Sequence, residues 1–201
     1  AEGNTRPNDG RVDRAGRMVF GMYNNYHRSG ASQGEDNSGL YRVGADLEYD
    51  ELLDYRFRVS NCCCFPEDGK TIYFADTPTR KVYAFDYGDG KLANRRLIWT
   101  QPPTWPGGPD GAQVDADGFV WVAINGAGRV VRIDPETGDV DLVVLTPGCP
   151  TPTSCTFGGP DLDELFITTA ARPAGGQLYR LKVPFGIKGL PEPEWQGPAD
   201  H

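Results

Sequence analysis

Short apolar strands separated by acidic and glycine-containing turns recur along this chain in one layout. The clearest copy opens with the corner Gly108-Pro109-Asp110-Gly111. A short strand follows, then the turn Asp115-Ala116-Asp117-Gly118, then the apolar run Phe119-Val120-Trp121-Val122-Ala123, with further strands over 128–134 and 139–145. Two earlier copies have corners at Arg6-Pro7-Asn8-Asp9-Gly10 and at Ser60-Asn61, with strands over 18–21 and 39–43, and over 71–75 and 81–86. A later copy has its corner at Thr153-Ser154 and strands over 164–169 and 176–181. The β-branched and aromatic runs bounded by Gly, Asp and Pro read as strands, and Val130, Arg132 and Asp134 alternate with Val131 and Ile133 as a half-buried strand requires.

The corner residues Asn8, Asn61, Asp110 and Ser154 are 53, 49 and 44 positions apart. A period of about 40–50 residues with about four strands per unit predicts an all-β chain, a β-propeller with about four blades, as a single partial domain over 1–201. A β-sandwich also suits short strands and frequent turns, but it gives no reason for polar residues to recur at one place in each unit. In a propeller those corners start the innermost strands and converge on the central channel. The polar, Gly/Ser-rich stretch 27–37 reads as an exposed loop or lid beside that channel, and 191–201 as an extended tail with little core.

Composition narrows the chemistry. With a net charge of -8, the chain is a poor match for a nucleic-acid backbone. No apolar run reaches membrane-spanning length, so no membrane partner is expected, and no charged-then-apolar leader opens the chain. Its start, Ala1-Glu2-Gly3-Asn4, reads like mid-domain sequence. The five cysteines include no Cys-x-x-Cys pair. They read as buried small hydrophobes, with a Cys149–Cys155 disulfide as the alternative, and a reducing, cytoplasmic setting is expected. Two histidines, one of them terminal, are poor material for a Ser-His-Asp triad. Trp99, Trp105, Trp121 and Trp195 read as packing residues.

The ordered set Arg6-Pro7-Asn8-Asp9-Gly10, Val59-Ser60-Asn61, Tyr83-Ala84-Phe85-Asp86-Tyr87, Pro109-Asp110-Gly111, Gly128-Arg129-Val130-Val131-Arg132-Ile133-Asp134-Pro135 and Thr153-Ser154-Cys155-Thr156-Phe157-Gly158-Gly159 resembles the gluconolactonase, regucalcin and luciferin-regenerating-enzyme family across nearly the whole chain. The resemblance implies a six-bladed propeller with one divalent cation in the channel, held by a Glu, an Asn and an Asp. Asn61 and Asp110 match the Asn and the Asp. The Glu belongs to a Glu-Gly-Pro segment that these 201 residues do not contain. Two further departures stand out: Cys62 follows Asn61 where the family has Gly, and Asn24-Asn25 stand near a family acidic position.

Amide and carboxylate oxygens suit Ca²⁺ foremost, with Mg²⁺, Mn²⁺ or Zn²⁺ as alternatives. The expected function is cation-dependent hydrolysis of a sugar-type or related lactone. Asp110 is expected to act both as ligand and as the group that positions or deprotonates water, with Arg6 and Asn8 on the substrate. Each residue has a plainer reading: Asp110 and Asn8 as turn residues, Asn61 as a strand-end cap, Arg6 as a surface ion pair. The alternative function is a non-catalytic binding or scaffold propeller. Association with a missing N-terminal segment or with a second copy is also expected, because an unclosed ring leaves sheet edges unpaired.

Overall fold

The computed structural model describes residues 5–25, 35–171 and 176–198. Its strands form four antiparallel meander sheets arranged as the blades of a β-propeller. The first blade comprises β1 (Thr5–Val12), β2 (Met18–Asn24), β3 (Leu40–Val43) and β4 (Tyr49–Glu51). The second comprises β5 (Ser60–Cys64), β6 (Thr71–Asp76), β7 (Lys81–Asp86) and β8 (Ala93–Thr100). The third comprises β9 (Gly108–Val114), β10 (Val120–Asn125), β11 (Arg129–Ile133) and β12 (Val140–Leu145), and the fourth comprises β13 (Pro152–Gly158), β14 (Glu164–Thr169) and β15 (Leu178–Lys182). The all-β propeller expected from the repeat is the observed architecture, and the sandwich alternative falls.

Blades pack face to face, so their middle strands are buried on both sides and alternate residues serve opposite neighbours. Along β10, Val120, Val122 and Ile124 join the core shared with the second blade, while Trp121 and Ala123 join the core shared with the fourth. Along β5, Cys62 and Cys64 pack toward the third blade and Cys63 toward the first. This explains why the cysteine run reads as uniformly apolar. All five cysteines are buried and free, so Cys149 and Cys155 are not bridged. Trp99 and Trp121 are core residues, whereas Trp195 is half exposed.

The inner strands are held by a recurring corner. Asp115 is fully buried and accepts from the Asp117 and Phe119 amides at 3.0 Å, from Trp121 Nε1 at 2.8 Å and from Arg132 Nε at 2.7 Å. Asp13 repeats this arrangement in the first blade with the Ala15 and Arg17 amides, the Arg17 guanidinium and the Tyr87 hydroxyl. A buried carboxylate is tolerated here because every lone pair meets a donor.

The C-terminal segment is extended, as expected, but it is tied down. The Ala116 amide donates to Lys188 O, Gly189 N to Leu162 O, Arg14 Nη1 to Pro191 O and Gln196 N to Gly16 O. Glu192 accepts from Gln113 Nε2 at 2.6 Å and pairs with Arg11. These contacts string the segment across the fourth, third and first blades, beyond the C-terminal ends of the inner strands. It straps one end of the channel and leaves the other end, where the inner strands begin, to the polar corners.

Candidate functional site

Each inner strand carries a β-bulge near its start. The registers break between Pro7 and Gly10, between Asn61 and Cys64, opposite Val122/Ile124 around Asp110-Gly111, and between Pro152 and Ser154. In each case one extra residue on the inner strand faces its partner. A bulge bends the strand and re-aims a side chain, and this is what turns polar residues of a buried sheet toward the channel. In the second blade the distortion places Cys62 at φ +58°, a conformation ordinarily left to glycine. Cys62 occupies this conformation under strain, where a glycine would not.

Asn8, Asn61 and Asp110 come together on the wall of one cavity of about 390 Å³, joined by Thr77, Arg80 and Asn125. Arg6 is exposed and lies outside that lining, its guanidinium 4.6 Å over the Tyr23 ring and Nη1 donating to Asn8 Oδ1 at 3.2 Å and to Pro7 O at 2.8 Å. Ser154 is not among the lining residues. Its hydroxyl packs against Gly111, where a Cβ would lie 2.4 Å from Ser154 Oγ. Asn24, near the position where the family carries an acid, is buried and gives its amide to Glu35 O at 2.9 Å. Of the expected lid, 27–34 lies outside the described residues.

Asn8 Nδ2 donates to Ser60 O at 2.8 Å and to Asn61 Oδ1 at 3.2 Å. Asn61 Nδ2 donates to Thr77 Oγ1 at 2.7 Å, and that hydroxyl donates to Pro109 O at 2.7 Å. In this orientation the Asn61 oxygen lies 3.0 Å from Asp110 Oδ1 and 3.1 Å from Ser60 O, acceptor against acceptor. Rotating the amide by a half-turn lets it donate to both, but sets its nitrogen 3.2 Å from Asn8 Nδ2, donor against donor. The rotated amide satisfies Asn61's own donor and acceptor, at the cost of that contact with Asn8. A proton on Asp110 relieves the first orientation, and so does a hard cation shared by the converging oxygens.

The protonation chemistry follows from burial. Asp110 is pushed up to about 7 by burial, against the Asn125 amide, which donates to Oδ2 at 2.9 Å and favours the ionised form, and with the charge of Asp9 adding to the rise. Asp9 is pushed up to about 6, again chiefly by burial, against the Cys63 and Gly10 amides that bond its oxygens at 2.9 and 3.0 Å and the nearby Arg11 cation. The donor set, one carboxylate with amide and main-chain oxygens, fits a hard divalent cation. Among the described residues no three His, Cys, Asp or Glu side chains gather into a metal-binding group, so this candidate depends on its amide and carbonyl oxygens.

Thr77, Asn125 and Asp9 were not singled out from sequence. A signal was there: Asn24, Thr77, Asn125 and Thr169 fall at or just beyond the end of the second strand in successive blades. Of these, Thr77 and Asn125 face the corners Asn61 and Asp110, whereas Asn24 bonds Glu35 O and Thr169 bonds the Gln177 main chain.

An arc of propeller blades with an oxygen-lined cavity at the mouth of the channel defines a class of polar small-molecule or cation sites. Within that class, residues 1–171 match the model of the SMP-30/Gluconolactonase/LRE-like region. The chain belongs to this family. It is 36% identical to regucalcin of Xenopus laevis over 201 residues, covering 93% of this chain and 65% of the relative. Among solved structures it resembles the calcium-binding protein regucalcin of Agrobacterium tumefaciens (TM-score 0.81, 26% identity, 96% of this chain and 65% of that one). It also resembles a gluconolactonase of Xanthomonas campestris (TM-score 0.69, 27% identity, 89% and 57%). The chain thus spans about two thirds of the length of the frog relative.

Proposed function

We propose that this chain carries the greater part of a lactone-hydrolase site, with Asn61 and Asp110 as ligands of a divalent cation, Ca²⁺ foremost. The observation that carries the reading is the convergence of the Asn61 amide and the Asp110 carboxylate from two different blades, 3.0 Å apart, on the wall of one cavity. A bound cation supplies Lewis acidity at the lactone carbonyl. Asp110, once ionised, accepts a proton from the attacking water. The water oxygen bonds to the carbonyl carbon, the ring C–O bond breaks, and the proton passes to the departing alkoxide, giving a hydroxy acid. Arg6 and the Asn8 carbonyl oxygen are the proposed contacts for substrate hydroxyls.

Acid release from gluconolactone, with and without chelator, tests the reading. Chelator-sensitive turnover that Asp110→Ala abolishes is the expected result; cation binding without acid release refutes hydrolysis. The second reading, a cation- or ligand-binding protein without turnover, draws support from the single carboxylate in the set, and that same outcome would establish it. Association with a further segment or a second copy belongs to the same proposal. It draws support from the fourth blade, which among the described residues has three strands where the others have four. A stable lone species of 22.0 kDa in sedimentation counts against it.

A further inference from the structure

The hydrogen bonds around Asn61 run in one direction, from a group that can only donate to one that can only accept. Arg6 Nη1 donates to Asn8 Oδ1, which turns Asn8 Nδ2 toward Asn61 Oδ1. Asn61 Nδ2 is then left facing Thr77 Oγ1, whose proton goes to Pro109 O. A guanidinium has no acceptor and a prolyl carbonyl has no donor, so the two ends set the sense of this chain of bonds, against Ser60 O and Asp110 Oδ1, which favour the rotated amide. With the amide turned the other way, the Thr77 hydroxyl would have to donate to Asn61 instead, and Asn8 and Asn61 would meet nitrogen to nitrogen.

Thr77 is placed for this by its backbone. It opens a 3₁₀ turn, Thr77–Thr79, with Pro78 inside it, and its own amide is held by Val59 O at 3.0 Å. The third blade reaches it because Gly108 has no side chain: a Cβ there would lie 2.7 Å from Thr77 O. This close approach brings Pro109 O within reach of the hydroxyl, so the last link of the relay spans two blades.

We propose that Thr77 is a positioning residue: by receiving the Asn61 amide and passing a proton to Pro109 O, it turns the Asn61 oxygen toward Asp110. The cation-affinity part of this inference rests on the site reading above; the orientation part does not. Two variants separate the hydroxyl from the shape. Thr77→Val keeps the volume and removes the relay, and Thr77→Ser keeps the relay.

In ¹⁵N-labelled, metal-free protein, the Asn61 side-chain amide protons are expected to show nuclear Overhauser contacts to the side chain at position 77 in the parent and in Thr77→Ser. In Thr77→Val they are expected to contact the Asp110 β protons. Calorimetric titration with Ca²⁺ is expected to show affinity reduced 10–100-fold in Thr77→Val, the usual effect of removing a group that orients a ligand, with Thr77→Ser retaining the parent value. A parent whose amide already faces Asp110 overturns the proposal. So does a Thr77→Val protein with unchanged amide contacts and unchanged Ca²⁺ affinity. If the parent binds no Ca²⁺, the cation reading falls by itself and the amide contacts alone decide the role of Thr77. If Thr77→Val does not fold, the contacts in the parent and in Thr77→Ser decide it.

Discussion

Replacing Asp110 by Asn should make the metal-free protein more stable at alkaline pH and almost leave it unchanged in acid. In the fold this carboxyl titrates at about 7 instead of near 3.8, chiefly because it is buried. Between those two values the folded chain holds a proton that the unfolded chain has released. Stability therefore falls as pH rises through the window and levels off above it. Each unit corresponds to about 1.4 kcal/mol, so the whole window is worth at most about 4 kcal/mol, less in practice because Asp110 lines an open cavity. Asparagine removes the charge at nearly constant shape. Its oxygen can still accept from Asn125 Nδ2, and its nitrogen would stand where Asp110 Oδ1 is, 3.0 Å from the Asn61 oxygen. The assay is urea unfolding in chelator at several pH values. The stability gap in favour of Asp110→Asn should widen by about 2–3 kcal/mol from pH 5 to pH 8. Ca²⁺ should then reverse the order at pH 8, since a ligand that binds only the folded parent stabilises it by mass action. A gap independent of pH refutes the burial argument.

Three further outcomes follow from the fold. Arg132→Met should cost about 3–5 kcal/mol in urea unfolding, because it strands the fully buried Asp115 carboxylate; Asp117 and Asp141, more exposed, contribute little to that figure. Cys62→Gly should cost at least about 1 kcal/mol less than Cys63→Gly, because relief of the positive φ offsets lost burial at position 62 alone. Cys149 is as buried as the other four, so labelling by a thiol reagent waits on local opening; once opened, Cys149, whose thiol is lowered by hydrogen bonding with Thr169 and Thr151, should react before Cys62, Cys63, Cys64 and Cys155, whose thiols burial raises. Equal labelling of all five would contradict that ordering.

The repeat was legible because propeller blades must each solve the same two problems, a bulged inner strand and a turn that re-enters the core. Those solutions need polar or glycine residues at fixed places among apolar ones. Asn8, Asn61 and Asp110 stood out as breaks in an apolar pattern, and the bulges account for them. Thr77 and Asn125 did not stand out, because a polar residue at a strand end is what any turn would show; only the blade-to-blade approach at Gly108 makes Thr77 part of the site. Asp9 was hidden differently. Before a glycine it reads as a turn residue, yet the bulge at Asn8-Asp9 sends its carboxylate to the Cys63 amide. The C-terminal segment misled for a related reason. Its residues are exposed and extended, as its composition predicts, but its main chain and Glu192 carry the hydrogen bonds, and a carbonyl such as Pro191 O leaves no mark on a hydrophobicity pattern. What a single sequence shows well is therefore where side-chain polarity interrupts burial. It does not show which main-chain groups from distant blades will meet, and at this site the Pro109 carbonyl, through the Thr77 hydroxyl, opposes the Ser60 carbonyl over which way the Asn61 amide faces.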